Sequence, residues 1–374
     1  MTGRSRQDTA CWRYLDERPW FLANHRRRSA CGGSRPRPLR PGGAAAGPER
    51  PATALRLDVD EIVWLGWDPE RLAAAFDFAG ALSTDALAIV TDGRIVAARG
   101  DLAIRHDAHS ARKAFLGALT PLQLEATVEH LLKSMSGINH PAAAEQGMLA
   151  DKNRRLGDRE NRPGTIWAYN NWDYNALTVA EAFKAAFAEP LGMQGFSTDD
   201  VRYIAEPELS RHRAAMFRMS ARDLLRFGEL YLDKGVHDGR RLLPEGWVDR
   251  IATVFAVTGR GGLMAGHGDL WWIPDPETGL PAGSFWAMGI GSQALFVVPV
   301  WRTVIVHQSD TTEFWRRLRR AVRKEGLPID AALERLLLSC LDPAAKSTEY
   351  CRQDRFILRR EFSRLVSLIA AARR

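Results

Sequence analysis

The chain has 374 residues, 45% of them hydrophobic and 26% charged, which suits a globular protein with a sizeable core. Its twelve tryptophans argue against a disordered chain, a class poor in aromatic residues. The formal net charge is +7, yet the interior alternates signs and the arginine excess crowds into residues 1–50, 315–323 and 352–374, so no nucleic-acid partner is expected.

Residues 1–54 mix Arg, Gly, Pro and Ala, with GGSRPRPLRPGGAAAGPERP (Gly32–Pro51) at their centre. Such a stretch cannot bury enough apolar surface to offset its ordering entropy, and it reads as a disordered basic tail. Order is expected from near Val63. A helix is predicted over Trp67–Leu82, with Asp68 as N-cap and Pro69 in the first turn. Ala86–Gly100 reads as two strands joined at Asp92-Gly93.

From Ser110 to about Phe187 the pattern is helical, with an apolar stripe at Leu124, Val128, Leu131 and Leu132 in the Thr120–Gly137 stretch. Further helices are predicted over Ser220–Gly235, capped by Ser220 and Asp223, and over Leu243–Thr253. Three strand-like runs follow: GHGDLWWIP, SFWAMGIGSQALFVVP and TVIVHQSD. An amphipathic helix closes the order at Phe356–Arg374.

Cys11, Cys31, Cys340 and Cys351 form no CxxC pair and no zinc-finger spacing, so neither a disulfide scaffold nor a cofactor is expected. No apolar run reaches the roughly 18 residues of a membrane span, and WFLAN (Trp20–Asn24) is too short for a secretory signal. A cytoplasmic protein without a membrane span is the expectation. Oligomeric state is not legible.

Three short motifs carry chemistry. HSARKAFLGAL (His109–Leu119) contains S-x-x-K at Ser110 and Lys113. On a helix starting at Ser110 the two lie on one face, where a neutral lysine can take the serine's proton. Burial and nearby positive charge would lower the lysine pKa, and the helix N-terminus would favour developing negative charge. Alone, S-x-x-K is a weak signal, and the pair reads more readily as an exposed helix start with an N-cap serine.

WAYNNWDYN (Trp167–Asn175) contains Y-x-N at Tyr169 and Asn171, a proton relay and an amide able to orient a substrate carbonyl. It could instead be an aromatic loop on a core. WAMGIGSQALFVVP (Trp286–Pro299) places Gly289 and Gly291 at an expected strand start, where a ligand could approach the backbone. There the N–H of Ser292 could join that of Ser110 as an oxyanion hole; a β-bulge is the other reading. His106 and His109 with Asp107 suggest a metal pair, but no third cluster completes a site. His267 in GHGDLWW fits packing, and GRGGLMAGHG (Gly259–Gly268) lacks the ending of a phosphate loop.

In this order the three motifs resemble the family of class C β-lactamases, D,D-peptidases and related esterases and amide hydrolases. LLKSMSGI, PLGMQGF, FRMSARDLLRFGELYLDKG and GSQALFVVP with TVIVHQSD support the likeness, which runs from about Trp67 to Asp310. The resemblance implies an α+β fold of the β-lactamase/transpeptidase type, with an antiparallel sheet flanked by helices plus a mostly helical lobe. The domain is expected at 55–374, with a helical lobe at about 111–204 and a sheet lobe from 55–110 and 205–374.

By resemblance Ser110 is the acylated nucleophile, Lys113 its base, Tyr169 the partner base and Asn171 a substrate-orienting group. Gly289-Ile290-Gly291 stands where relatives often carry Lys or His. That absence points away from β-lactams and towards a small ester or linear amide as the partner molecule. The chain also departs from relatives after Leu119 and near Thr178, where segments are shortened, and in an Arg-rich stretch at 315–346. A catalytically silent, β-lactamase-like binding protein is the alternative.

Overall fold

The computed structural model describes residues 55–119, 133–135, 167, 180–205, 207, 213–326 and 357–374. The basic tail expected over 1–54, nearly all of the helix expected at Thr120–Gly137, and both Tyr169 and Asn171 lie outside the described residues.

Helix α1 (Val59–Trp64) is capped by Asp58 and begins ahead of the Val63 boundary expected from sequence. Helix α2 (Pro69–Ala81) starts where predicted, with the Asp68 carboxylate accepting from the N–H groups of Glu70 and Arg71 and Pro69 in the first turn. Strands β1 (Ala86–Thr91) and β2 (Arg94–Arg99) form the predicted hairpin. β3 (Arg105–Asp107) then pairs with β5 (Ala214–Ser220), whose other edge carries β4 (Val201–Ile204).

Helix α3 (Arg112–Leu119) follows, then α4 (Ala180–Phe183), which runs into a π turn at Lys184–Ala188. Helix α5 (Ala221–Leu232) begins at the Ser220 cap, whose hydroxyl accepts from the Asp223 N–H and donates to its carboxylate. A short pair, β6 (Val236–His237) and β7 (Arg240–Arg241), leads to α6 (Trp247–Ile251). α6 is shorter than predicted because Gly246 enters it in the left-handed region.

Strands β8 (Ala256–Val257), β9 (Gly266–His267), β10 (Trp272–Ile273), β11 (Phe285–Gly289), β12 (Gln293–Val298) and β13 (Thr303–Gln308) complete the strands among the described residues. The large sheet runs β2-β1-β13-β12-β11-β10-β9-β8 and is antiparallel throughout. SFWAMGIGSQALFVVP, read above as one strand, is two strands and a turn. Helices α7 (Thr312–Glu325) and α8 (Arg359–Ala371) follow; α7 occupies part of the Arg-rich stretch. Among the described residues no helix is long and apolar enough to cross a membrane. This is the mixed α+β architecture expected, with helices flanking an antiparallel sheet.

Every residue of β1, β12 and β13 is buried, because both faces of the sheet are covered. On one face α5 lies so close that a methyl on Gly228 would sit 2.5 Å from Val304 Cγ1. On the other, Phe362 of α8 packs on Trp286, Phe296 and His307, with the Trp286 and Phe296 rings stacked across β11 and β12 at 4.7 Å. Phe115 of α3 meets Phe183, Phe217 and Phe227 within 5.5 Å, pinning the segment that follows Ser110 to the core. Truncating a ring so enclosed costs about 3–5 kcal/mol.

Candidate active site

The segment carrying Ser110 leaves β3 along the edge of β5, with the Ala108 N–H donating to the Phe217 carbonyl at 2.8 Å. His109 adopts φ +47° and opens a 3-10 turn, His109–Ala111. The α-helix itself starts two residues after the Ser110 predicted as its first residue, at Arg112. The tighter turn preserves the intended neighbourhood: Lys113 Nζ donates to Ser110 Oγ at 2.9 Å. Lys113 is 2% exposed, and every residue of α3 is buried.

Ser110 lines a cavity of about 260 Å³, and so do Gly289, Ile290, Gly291 and Ser292. The structure thus brings the first and third motifs to one place. It also corrects how the glycines serve there. Gly289 ends β11 instead of starting a strand, and Gly291 lies in the β11–β12 turn. The room a side chain would need is already occupied by the protein itself. A methyl on Gly289 would lie 2.3 Å from the Ala108 carbonyl, and one on Gly291 2.3 Å from Thr311 Cγ2. The glycines therefore let the turn close upon the Ser110 segment.

That turn is held from β13 and the residues just beyond it. His307 Nδ1 donates to the Ser292 carbonyl at 2.7 Å, which fixes the proton on Nδ1 and leaves Nε2 to accept from Thr84 Oγ1 at 3.0 Å. Ser309 Oγ donates to the Gly291 carbonyl, and Gln293 Nε2 to the Ser309 carbonyl. Thr311 Oγ1 bonds His109 Nε2 at 2.9 Å, so one threonine touches both the turn and the residue preceding Ser110. Sequence reasoning missed these supports. Their one signal is a polar run, HQSD, directly following the apolar TVIV, and His307, Gln308 and Ser309 are all buried.

Burial keeps the histidines here neutral. It pushes His307 down to about 4 and His267 to about 3, the positive charge of Lys113 adding to the effect on His267. It also lowers His106 and His109. His267 packs against Trp272 at 4.9 Å and Trp167 at 5.4 Å, the packing role read for it in the sequence. Trp167 also opens the WAYNNWDYN stretch that contains the Y-x-N motif. Among the described residues no cluster of three metal-ligating side chains occurs, and His109 is engaged by Thr311.

With this geometry in hand, a family model described as Beta-lactamase matches residues 118–325, more than half of the chain. Ser110 and Lys113 stand just ahead of the matched span. Among solved structures, a putative 6-aminohexanoate-dimer hydrolase from Bacillus anthracis is 20% identical, with 68% of this chain and 82% of that one covered at a TM-score of 0.45. A β-lactamase from Mycobacterium bovis is 17% identical, covering 67% of this chain and 98% of that one at 0.45. EstCE1, described as a hydrolase with promiscuous acyltransferase activity, is 16% identical, covering 71% and 97% at 0.43.

Proposed function

This chain belongs to the beta-lactamase family and is a serine hydrolase; we propose that it cleaves a small ester or linear amide through an acyl-enzyme on Ser110. The observation that carries the reading is the 2.9 Å contact between buried Lys113 and Ser110 on the wall of the cavity. In this reaction the lysine amine, once it has released its own proton, takes the Ser110 proton as Oγ attacks the substrate carbonyl carbon. The resulting oxyanion is met by the backbone N–H groups of Ser110 and Ser292. Lys113 then returns the proton to the departing alcohol or amine, and water releases the acyl group. Tyr169 relays protons and Asn171 orients the substrate carbonyl. Gly289-Ile290-Gly291 carries no Lys or His, which favours linear substrates over β-lactams.

A fluorophosphonate probe tests this directly. Folded protein should be labelled at Ser110, and Ser110→Ala should abolish the label. Lys113→Ala should lower turnover of an activated ester by at least about 10³-fold without unfolding the protein. Folded protein that takes no label would sink the proposal. A chromogenic cephalosporin, run beside the esters and short amides, should be the poorest substrate.

A further inference from the structure

Lys113 is carried by a short helix, α3, whose opposite faces meet different partners. Phe115 and Gly117 stand two residues apart on it, about 200° around the axis. Phe115 turns to the cluster of Phe183, Phe217 and Phe227. Gly117 is four residues beyond Lys113, on the same face one turn further along. That face meets the turn between β9 and β10, residues Gly268–Trp271. A methyl placed on Gly117 would lie 3.1 Å from Leu270 Cδ1, with Leu270 Cβ and Cγ at 3.6 and 3.7 Å. The same hairpin carries His267, on which the charge of Lys113 weighs. The β9–β10 hairpin therefore lies along the Lys113 face of α3.

Both residues of the Leu270–Gly117 contact break a local rule. Glycine is among the poorest residues for a helix interior, and Gly117 sits inside α3. Leu270 takes φ +66°, a turn conformation that ordinarily goes to glycine. Exchanged, each residue would suit its own backbone. As they stand, the turn supplies a buried side chain for which the helix leaves room. Local strain of this kind persists only where the surroundings over-determine it.

Here the surroundings do so from α6 and the core. Gly268 lies against the end of α6, where a methyl on it would run into the Ile251 carbonyl. Arg250 Nε, from α6, donates to the fully buried Asp269 carboxylate at 2.6 Å. Trp271 packs on Tyr231 at 4.8 Å and Phe285 at 5.1 Å, and its carbonyl accepts from the Gly268 N–H at 2.8 Å. Gly268, Asp269 and Trp271 are thus all fixed, and Leu270 bears on α3.

We propose that Leu270 is a positioning residue for Lys113, held against Gly117 by the Arg250–Asp269 pair so that Lys113 Nζ stays in reach of Ser110 Oγ. An eight-residue helix has little stability of its own and takes its place from packing. Phe115 fixes one face of α3; without Leu270 the opposite face, which bears Lys113, loses its support. The 2.9 Å contact between Lys113 and Ser110 depends on that face. This inference rests on the hydrolase reading, in which Lys113 is the base, and its test separates the two.

A double-mutant cycle makes the test. Leu270→Ala should slow fluorophosphonate labelling of the folded protein about tenfold where Lys113 is present, as a misplaced base requires. In the Lys113→Ala background the same change should slow it less than about twofold, because the group it positions is gone. Leu270→Met keeps the volume and should restore most of the rate. A loss of equal size in both backgrounds, or none in either, overturns the proposal, since a merely structural leucine acts whether or not Lys113 is there. Should Leu270→Ala fail to fold, Arg250→Gln loosens the turn without emptying the core, and the same cycle reads it with the same outcomes.

Wild-type protein that takes no label sinks the hydrolase reading, and geometry then decides this one. In a crystal structure of Leu270→Ala, Lys113 Nζ should lie more than about 3.5 Å from Ser110 Oγ. A contact as short as that of the wild type overturns the positioning role whether or not the protein hydrolyses anything.

Discussion

Two hairpins of the large sheet close by different means. β1 and β2 turn through Asp92-Gly93, with φ of +47° and +71°, a two-residue turn that this dipeptide favours unaided. β11 and β12 turn through Ile290, Gly291 and Ser292, where Gly291 and Ser292 take φ of +79° and +62°. No glycine relieves Ser292. Its conformation is sustained by a hydrogen bond from His307, with Ser309 and Thr311 holding the neighbouring Gly291. The first turn follows from its own dipeptide, and Arg302 only adds to it: its carbonyl accepts from the Asp92 N–H at 3.0 Å and its Nε donates to the Asp92 carboxylate at 3.4 Å. The second, beside Ser110, is a property of the packing around it, so residues far away in sequence set the shape of the site.

The sharpest way to break this comparison is to put the same methyl into both turns. Gly291→Ala should cost about 3 kcal/mol in urea melts, combining left-handed strain with the clash against Thr311. Thr311→Ser deletes the offending Cγ2 while retaining the hydroxyl that bonds His109, and should restore about 1 kcal/mol of that loss. A loss unaltered by Thr311→Ser would show that strain alone governs the turn.

Gly289→Ala comes next, at about 2 kcal/mol, because its new methyl meets a backbone carbonyl that cannot rotate away. It should slow fluorophosphonate labelling more than its effect on stability alone explains, since Ala108 moves Ser110 with it. Labelling at the ordinary rate would detach the third motif from Ser110.

Acid probes the support under the site turn. An unfolded chain protonates His307 near its ordinary 6.5, whereas burial holds the folded group down to about 4. The unfolded state therefore binds the extra proton between those values. Stability falls as pH drops through that window, by about 1.4 kcal/mol per pH unit for this residue, and the slope ends below about 4. His267, His106 and His109, all shifted the same way, add to it. His307→Gln should remove one proton's worth of slope between pH 6.5 and 4; an unchanged slope would mean that His307 titrates normally. The smallest effect belongs to the β1–β2 turn. Gly93→Ala, with nothing nearer than 3.9 Å, should cost about 1 kcal/mol and leave labelling of Ser110 alone.

What was legible in the sequence divides along the same line. Asp68 and Ser220 as caps, Asp92-Gly93 as a turn, and Ser110 with Lys113 on adjoining turns all depend on residues within four positions of each other. The β11–β12 turn is hard to read because both its strands are buried almost throughout, so neither shows polar alternation and only the short Gly289–Gln293 stretch marks the turn. Gly289 was noticed as a place for close approach, but the approaching group is Ala108, which spacing along the chain cannot reveal. His307, Ser309 and Thr311 are ordinary polar residues until the fold buries them against the turn. Tyr169 and Asn171 rest on motif alone.

The cavity over Ser110 is assembled from stretches near residues 110, 260–292 and 357–362, so its walls meet only after long loops close. Contacts of such separation form slowly, because loop closure must precede the burial that rewards it. During refolding the β1–β2 hairpin should register early and the cavity last. Labelling at Ser110 should therefore report the final kinetic phase, and a chain that has regained its helices but not this cavity should take no label.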